Sequence, residues 1–150
     1  MTSDSKFIVS GSDDCSIKIF AMFKWENTYT FENIHTDWIT ALALSSNDKV
    51  LVSGSNDRSI KVIYINSREV ANHYPNAHDS PISCLKITPN NKFIVSGGLD
   101  RAIKVFSISK KIKGLLHTFK DIHSGIKLFI EIFFHPTSRS NSRIIGNTRW

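Results

Sequence analysis

The chain has 150 residues, 41% of them hydrophobic, a net charge of +6 and two cysteines. That length suits one domain with a core of its own. No apolar run approaches the ~20 residues of a membrane helix, and the start "MTSDSKFIVSGSDD" lacks the basic-then-apolar layout of a secretory leader. Cys15 and Cys84 occupy unrelated positions and no Asn-x-Ser/Thr sequon occurs, so neither a disulfide framework nor a glycosylated exterior is expected. A reducing cytosol or nucleus fits the composition.

The charge is unevenly placed. Residues 1–109 carry 11 Lys/Arg against 11 Asp/Glu, whereas 110–150 carry 8 Lys/Arg against Asp121 and Glu131. A phosphate-binding surface would have to rest on that last quarter, and the neutral remainder is not expected to hold nucleic acid.

The first predicted element is a β-hairpin over 6–20, "KFIVSGSDDCSIKIF". A β-branched and aromatic run meets a Gly-polar-Asp cluster, and an alternating run follows, which is the pattern of two strands and a tight turn. Gly11 is expected to supply the positive φ of that turn, and Asp14 to bond nearby backbone N–H groups. A strand at "NTYTF" follows, then a corner at His35, four residues after Phe31, then a strand at "WITALAL". The hairpin returns at 49–63 and at 92–106, each 43 residues further on, with seven of fifteen columns identical in all three copies. Between them stand the strand "EVANHY", a second corner at His78 and the strand "PISCLKI". After the third hairpin come "LLHTF", a third corner at His123 and an apolar strand in "IKLFIEIFFHP", before the pattern lapses in "TSRSNSRIIGNTRW". Four short strands per unit, repeated without helical periodicity, predict an all-β chain of propeller blades.

These residues carry a resemblance to the WD-repeat (WD40) β-propeller family. The matching features are His35 and His78, each 22 residues before its aspartate, the Ser-Gly pairs, the turn aspartates and the stretch "LKITPNNKFIVSGG". The Trp-Asp pair that names the family is replaced by Phe20-Ala21, Ile63-Tyr64 and Phe106-Ser107. The resemblance implies blades of four antiparallel strands, with about three present here as a fragment of a seven-bladed propeller, since closed rings hold about 4 to 8. Residues 1–136 would form this partial propeller, with an incomplete fourth unit at 123–136, and 137–150 a divergent basic tail. Missing blades or another chain would close the ring. The family's hydrogen-bonded network, shortened by loss of its indole, is implied for Ser10, Asp14, His35, Ser53, Asp57, His78, Ser96 and Asp100.

His35, Ser53 and Asp57 also have the residue types of a hydrolase triad, and His78, Ser96 and Asp100 repeat them. A nucleophile needs one exposed serine with a base in reach, whereas a group copied into successive units serves something each unit requires. No catalysis is expected. His73 and His78 lack any accompanying CxxC or second histidine pair, and no phosphate-binding glycine loop occurs, so no metal and no cofactor are expected. Lys18, Lys61 and Lys104 alternate with apolar neighbours and are read as snorkelling side chains. Binding is expected instead in loops at the His and Asp end of the blades, where Trp38, Asp37, Arg58, Arg101 and Asp79 are the candidates for contact with other proteins. The resemblance thus implies a non-catalytic scaffold for protein–protein interaction in a multiprotein complex, without a membrane. The alternative is nucleic-acid or chromatin association through 110–150.

Overall fold

The computed structural model describes residues 1–109, 111–112 and 114–121. Lys110, Lys113, His123, the unit at 123–136 and the basic segment 137–150 lie outside them.

The described residues form eleven strands and no helix: β1 (Phe7–Gly11), β2 (Ile17–Ala21), β3 (Glu26–Phe31), β4 (Ile39–Leu44), β5 (Val50–Ser55), β6 (Ile60–Tyr64), β7 (Glu69–Tyr74), β8 (Ile82–Ile87), β9 (Phe93–Gly98), β10 (Ile103–Ser107) and β11 (Leu115–Phe119). They build three successive antiparallel blades of a β-propeller, with strand orders β1-β2-β3, β4-β5-β6-β7 and β8-β9-β10-β11. The first blade has three strands because no described segment occupies the place that β4 and β8 take in theirs.

Period-2 alternation explains how the blades stack. In β5, Val50 and Val52 face the third blade, while Leu51 faces the first. Strands buried on both faces read as continuous apolar runs, as "VLV" does here. One core joins Val52, Ile60, Val62, Ile82, Leu85, Ile94 and Phe106 between the second and third blades, and another joins Ile17, Ile19, Phe31, Ile39, Leu51 and Ile63 between the first and second. At the ends opposite the histidine corners, Ser3 N–H donates to Asp48 Oδ2 at 2.8 Å and Ser46 N–H donates to Asn91 Oδ1 at 3.0 Å, repeating one link at both junctions.

The repeat extends to backbone irregularities. The outer strands slip register between Ile19 and Phe20, Val62 and Ile63, and Val105 and Phe106, each one period from the last. Left-handed residues recur likewise at Ser5, Asp48 and Asn91, and at Cys15, Arg58 and Arg101.

These last positions correct the expected role of the glycines. The turn's positive φ falls on Cys15, Arg58 and Arg101, at 65°, 68° and 61°, while Gly11 and Gly54 lie within strands. A Cβ on Gly11 would stand 2.7 Å from Ile39 Cγ2, and one on Gly54 2.7 Å from Ile82 Cγ2. The glycines are there for close approach of the next blade, and the turn is held by its aspartate instead.

Candidate functional site

Each connection between blades carries its histidine back to the turn of the following hairpin. Cys15 carbonyl accepts from Ile34 N–H at 3.0 Å, and Arg58 carbonyl from His78 N–H at 3.3 Å, so the left-handed turn residue of one blade pins the linker leading into the next. His35, thus fixed between the first and second blades, reaches Asp57 Oδ2 with Nδ1 at 2.8 Å and Ser53 Oγ with Nε2 at 2.8 Å. His78 repeats the arrangement with Asp100 Oδ1 at 2.9 Å and Ser96 Oγ at 2.7 Å. Both imidazoles, Ser53 and Ser96 are buried.

Burial pushes both imidazoles below their ordinary value, against the opposing pull of Asp57 and Asp100. A neutral ring donates through Nδ1 to the carboxylate and accepts from the serine hydroxyl at Nε2. Burial also works to raise the Asp57 carboxyl, but hydrogen bonds from Ser59, from Thr36 N–H and from His35 outweigh it and hold the group at about 2. Asp57 further accepts from Ser59 N–H at 2.8 Å and Thr36 N–H at 3.1 Å, so one carboxylate gathers turn, linker and histidine. The same bonding lowers Asp100, whose Oδ2 takes Asp79 N–H at 3.0 Å.

The first hairpin differs. Ser10 is exposed there, and Asp14, besides taking Ser16 N–H at 2.9 Å as Asp57 takes Ser59 N–H, accepts Ser16 Oγ–H at 2.6 Å where Asp57 meets a histidine. Among the described residues no histidine meets Ser10 or Asp14.

Sequence reasoning missed the lysines. Lys104 is nearly enclosed, and its ammonium donates to Ala77 carbonyl at 2.9 Å; Lys61 donates in the same way to Ile34 carbonyl. They do not snorkel outward. Each caps the carbonyl just before a blade-linking histidine, and only Lys18, paired with Asp14 at 4.0 Å, stays near solvent. Their identity in all three copies was the available signal. The positions usually held by Trp are filled apolarly: Ile63 is fully buried, and Phe106 packs its ring 4.9 Å from Tyr74.

The binding candidates lie at this same end of the blades. Trp38 is 53% exposed, yet its backbone is anchored, donating to Asp37 Oδ1 at 2.7 Å and accepting from Asn56 N–H at 2.9 Å. Asp37, Asp79, Arg58 and Arg101 are exposed beside it or at the matching place one blade on. Arg101 is tied to Asp121 at 3.0 Å, while Arg58 has no ion pair among the described residues. Chemically, the enclosed serines and histidines meet one another and not solvent, whereas the loop side chains meet solvent on a rigid backbone. No cluster of three or more His, Cys, Asp or Glu that could hold a metal occurs among the described residues, and no helix among them is long and apolar enough to cross a membrane.

Comparison with known proteins places this geometry. The model of the WD domain, G-beta repeat (WD40), matches residues 1–20, 25–63 and 70–107. Two solved structures, described as the crystal structure of RRP9 WD40 repeats and the structure of U3-55K, superpose with a TM-score of 0.74 at 22% identity, over 80% of this chain and 37% of each of those. At that identity they bear on fold alone. Comparison with curated proteins yields no match.

Proposed function

The chain belongs to the WD40 family of G-beta repeats, and on that premise we propose that it acts as a non-catalytic scaffold displaying blade loops to protein partners in a multiprotein assembly. One contrast carries the reading. The chemically able groups, Ser53, His35, Ser96 and His78, are consumed inside the blade junctions, while Trp38 and Arg58 are held out at the same end on anchored backbone. A rigid loop with an exposed tryptophan loses little conformational freedom on binding, and Trp and Arg are the common anchors of protein interfaces.

Several finer readings belong to the same proposal. The chain supplies about three blades, within 1–136, of a larger ring of seven, completed by further blades or another chain. It works inside the cell, in cytoplasm or nucleus, and needs no metal or cofactor. Sharing the loops of His35 and His78 across neighbouring blades would let one partner touch Trp38, Asp37, Asp79, Arg58 and Arg101 together.

Affinity capture with wild-type and Trp38→Ala chains tests it. The expected result is a partner set recovered by wild type and by Trp25→Ala, a change at the exposed tryptophan between β2 and β3, but lost with Trp38→Ala; equal recovery with Trp38→Ala would reject Trp38 as the anchor. Because the whole charge excess lies in 110–150, binding to duplex DNA or RNA should be measured in parallel. Binding that falls steeply with salt and vanishes on removing 110–150 would favour nucleic-acid association instead.

A further inference from the structure

The two blade junctions copy one another in sequence position but not in packing. Between the second and third blades, Tyr74 and Phe106 lie ring against ring, Tyr74 Oη–H donates to Ser107 carbonyl, Asn72 Nδ2 donates to Tyr74 Oη at 2.7 Å, and Ile108 seals the junction. One period earlier the same columns read Phe31, Ile63, Tyr29 and Ile65. Phe31 has no hydroxyl with which to reach across, and Ile63 presents no ring. Val50 and Val52 are buried, while their counterparts Phe7 and Val9 remain half-exposed. Around Phe7, Val9 and Ile65, whose counterparts Val50, Val52 and Ile108 are buried, the first junction stands open as a wedge of about 430 Å³, floored by Phe7, Val9, Ile19, Tyr29 and Ile65.

Its rim is charged in one direction. Lys24 and Glu26 pair at 3.4 Å and cancel. Arg68 lies with its guanidinium 4.2 Å from the centroid of the Tyr29 ring and has no carboxylate partner among the described residues. The ring face holds the guanidinium in place and leaves N–H groups to a ligand. Apolar volume of this size, in the range of about 300–1,000 Å³ usual for binding clefts, beside one oriented cation, is a site for a mixed apolar and acidic ligand.

We propose that this wedge docks a linear acidic peptide of a partner protein, with a bulky apolar side chain entering between the blades and an adjacent carboxylate pairing with Arg68. The chain's own segment 110–150 has the wrong sign for it, with 8 Lys/Arg against two acids. The site lies at the opposite end of the blades from Trp38 and does not depend on the loops there.

Fluorescence anisotropy on the full chain, with a labelled Glu-Glu-Leu-Phe-Glu peptide flanked by Gly-Ser, tests the assignment. Saturable binding is expected. Arg68→Glu, at an exposed turn, should weaken it about tenfold or more, the scale of one charge-assisted pair. A peptide with lysines for glutamates should bind Arg68→Glu better than wild type. Val9→Phe, which fills the wedge, should also weaken binding while circular dichroism stays native, and Trp38→Ala should leave binding unchanged. The proposal is overturned by absence of saturable binding, by insensitivity to both Arg68→Glu and Val9→Phe, by tighter binding of a synthetic 122–150 peptide, or by chain self-association through the wedge in sedimentation.

Discussion

His35 and His78 are histidines that the fold keeps neutral. Each is walled in between two blades and serves as a ligand to its neighbours, with burial lowering its proton affinity below the ordinary 6.5. The unfolded chain takes up protons there first, so stability is full above pH 6.5 and is lost as pH falls below it. Asp57 adds a second step, because its carboxyl is lowered from 3.8 to about 2: this contribution is present above pH 3.8 and lost between there and about 2. Thermal unfolding followed against pH should show both declines, one beginning near 6.5 and one below 3.8. Asp57→Ala strips Thr36 N–H, Ser59 N–H and His35 Nδ1 of their shared acceptor. It should lower stability at neutral pH by about 2–3 kcal/mol, or about 5–10 °C in Tm for a chain of this size. An unchanged Tm would show that the carboxylate does not organise the junction.

At the scale of the element, each hairpin is made of two decisions that the sequence writes next to each other. The aspartate closes the turn by accepting the N–H two residues on, which lets an arginine or cysteine occupy the left-handed position. In the first two hairpins the glycine three residues before it removes a side chain from the strand so that the next blade's isoleucine can close on the backbone. Gly54→Ala puts a methyl carbon 2.7 Å from Ile82 Cγ2 and 3.0 Å from Leu85 Cδ1, and both belong to a packed core that cannot yield freely. A loss of about 1–3 kcal/mol is expected, read as a lower urea midpoint with unchanged slope. No loss would mean that the blades can part by the few tenths of an ångström required.

At the scale of the whole molecule, the described residues form a row of sheets in which each blade completes the core of its neighbour. Ile82 illustrates the coupling: it belongs to the third blade, yet it packs on Gly54 of the second and is almost fully buried. Ile82→Ala should cost about 2–5 kcal/mol. In an array stabilised by nearest-neighbour contacts, that loss falls mainly on the two blades concerned. Hydrogen exchange should therefore quicken in β5, β6 and β9 more than in β1 and β2; uniform quickening would instead mark the chain as one undivided cooperative unit. The same row logic lets the junctions differ: one period earlier Phe31 and Ile63 stand for Tyr74 and Phe106, which removes ring contact and a hydrogen bond without disturbing either sheet.

The period of 43 residues, the strand alternation and the turn aspartates are local signals, and from them the sequence by itself determined the all-β class, the blade and its repetition. The columns of His, Ser and Asp were legible for the same reason. What lay beyond reach depends on atoms that meet across blades. Lys61 and Lys104 read as surface residues because alternation reports which face a side chain takes, not that a carbonyl from the preceding linker waits there. Gly54 read as a turn residue because its crowding comes from Ile82, 28 residues away. Ser10 and Asp14 looked equal to their copies, yet no histidine among the described residues meets them. Identical columns fix the backbone of each blade; the packing between blades, set by side chains such as Phe7, Val9 and Ile65 against Val50, Val52 and Ile108, decides which junction is sealed and which stands open.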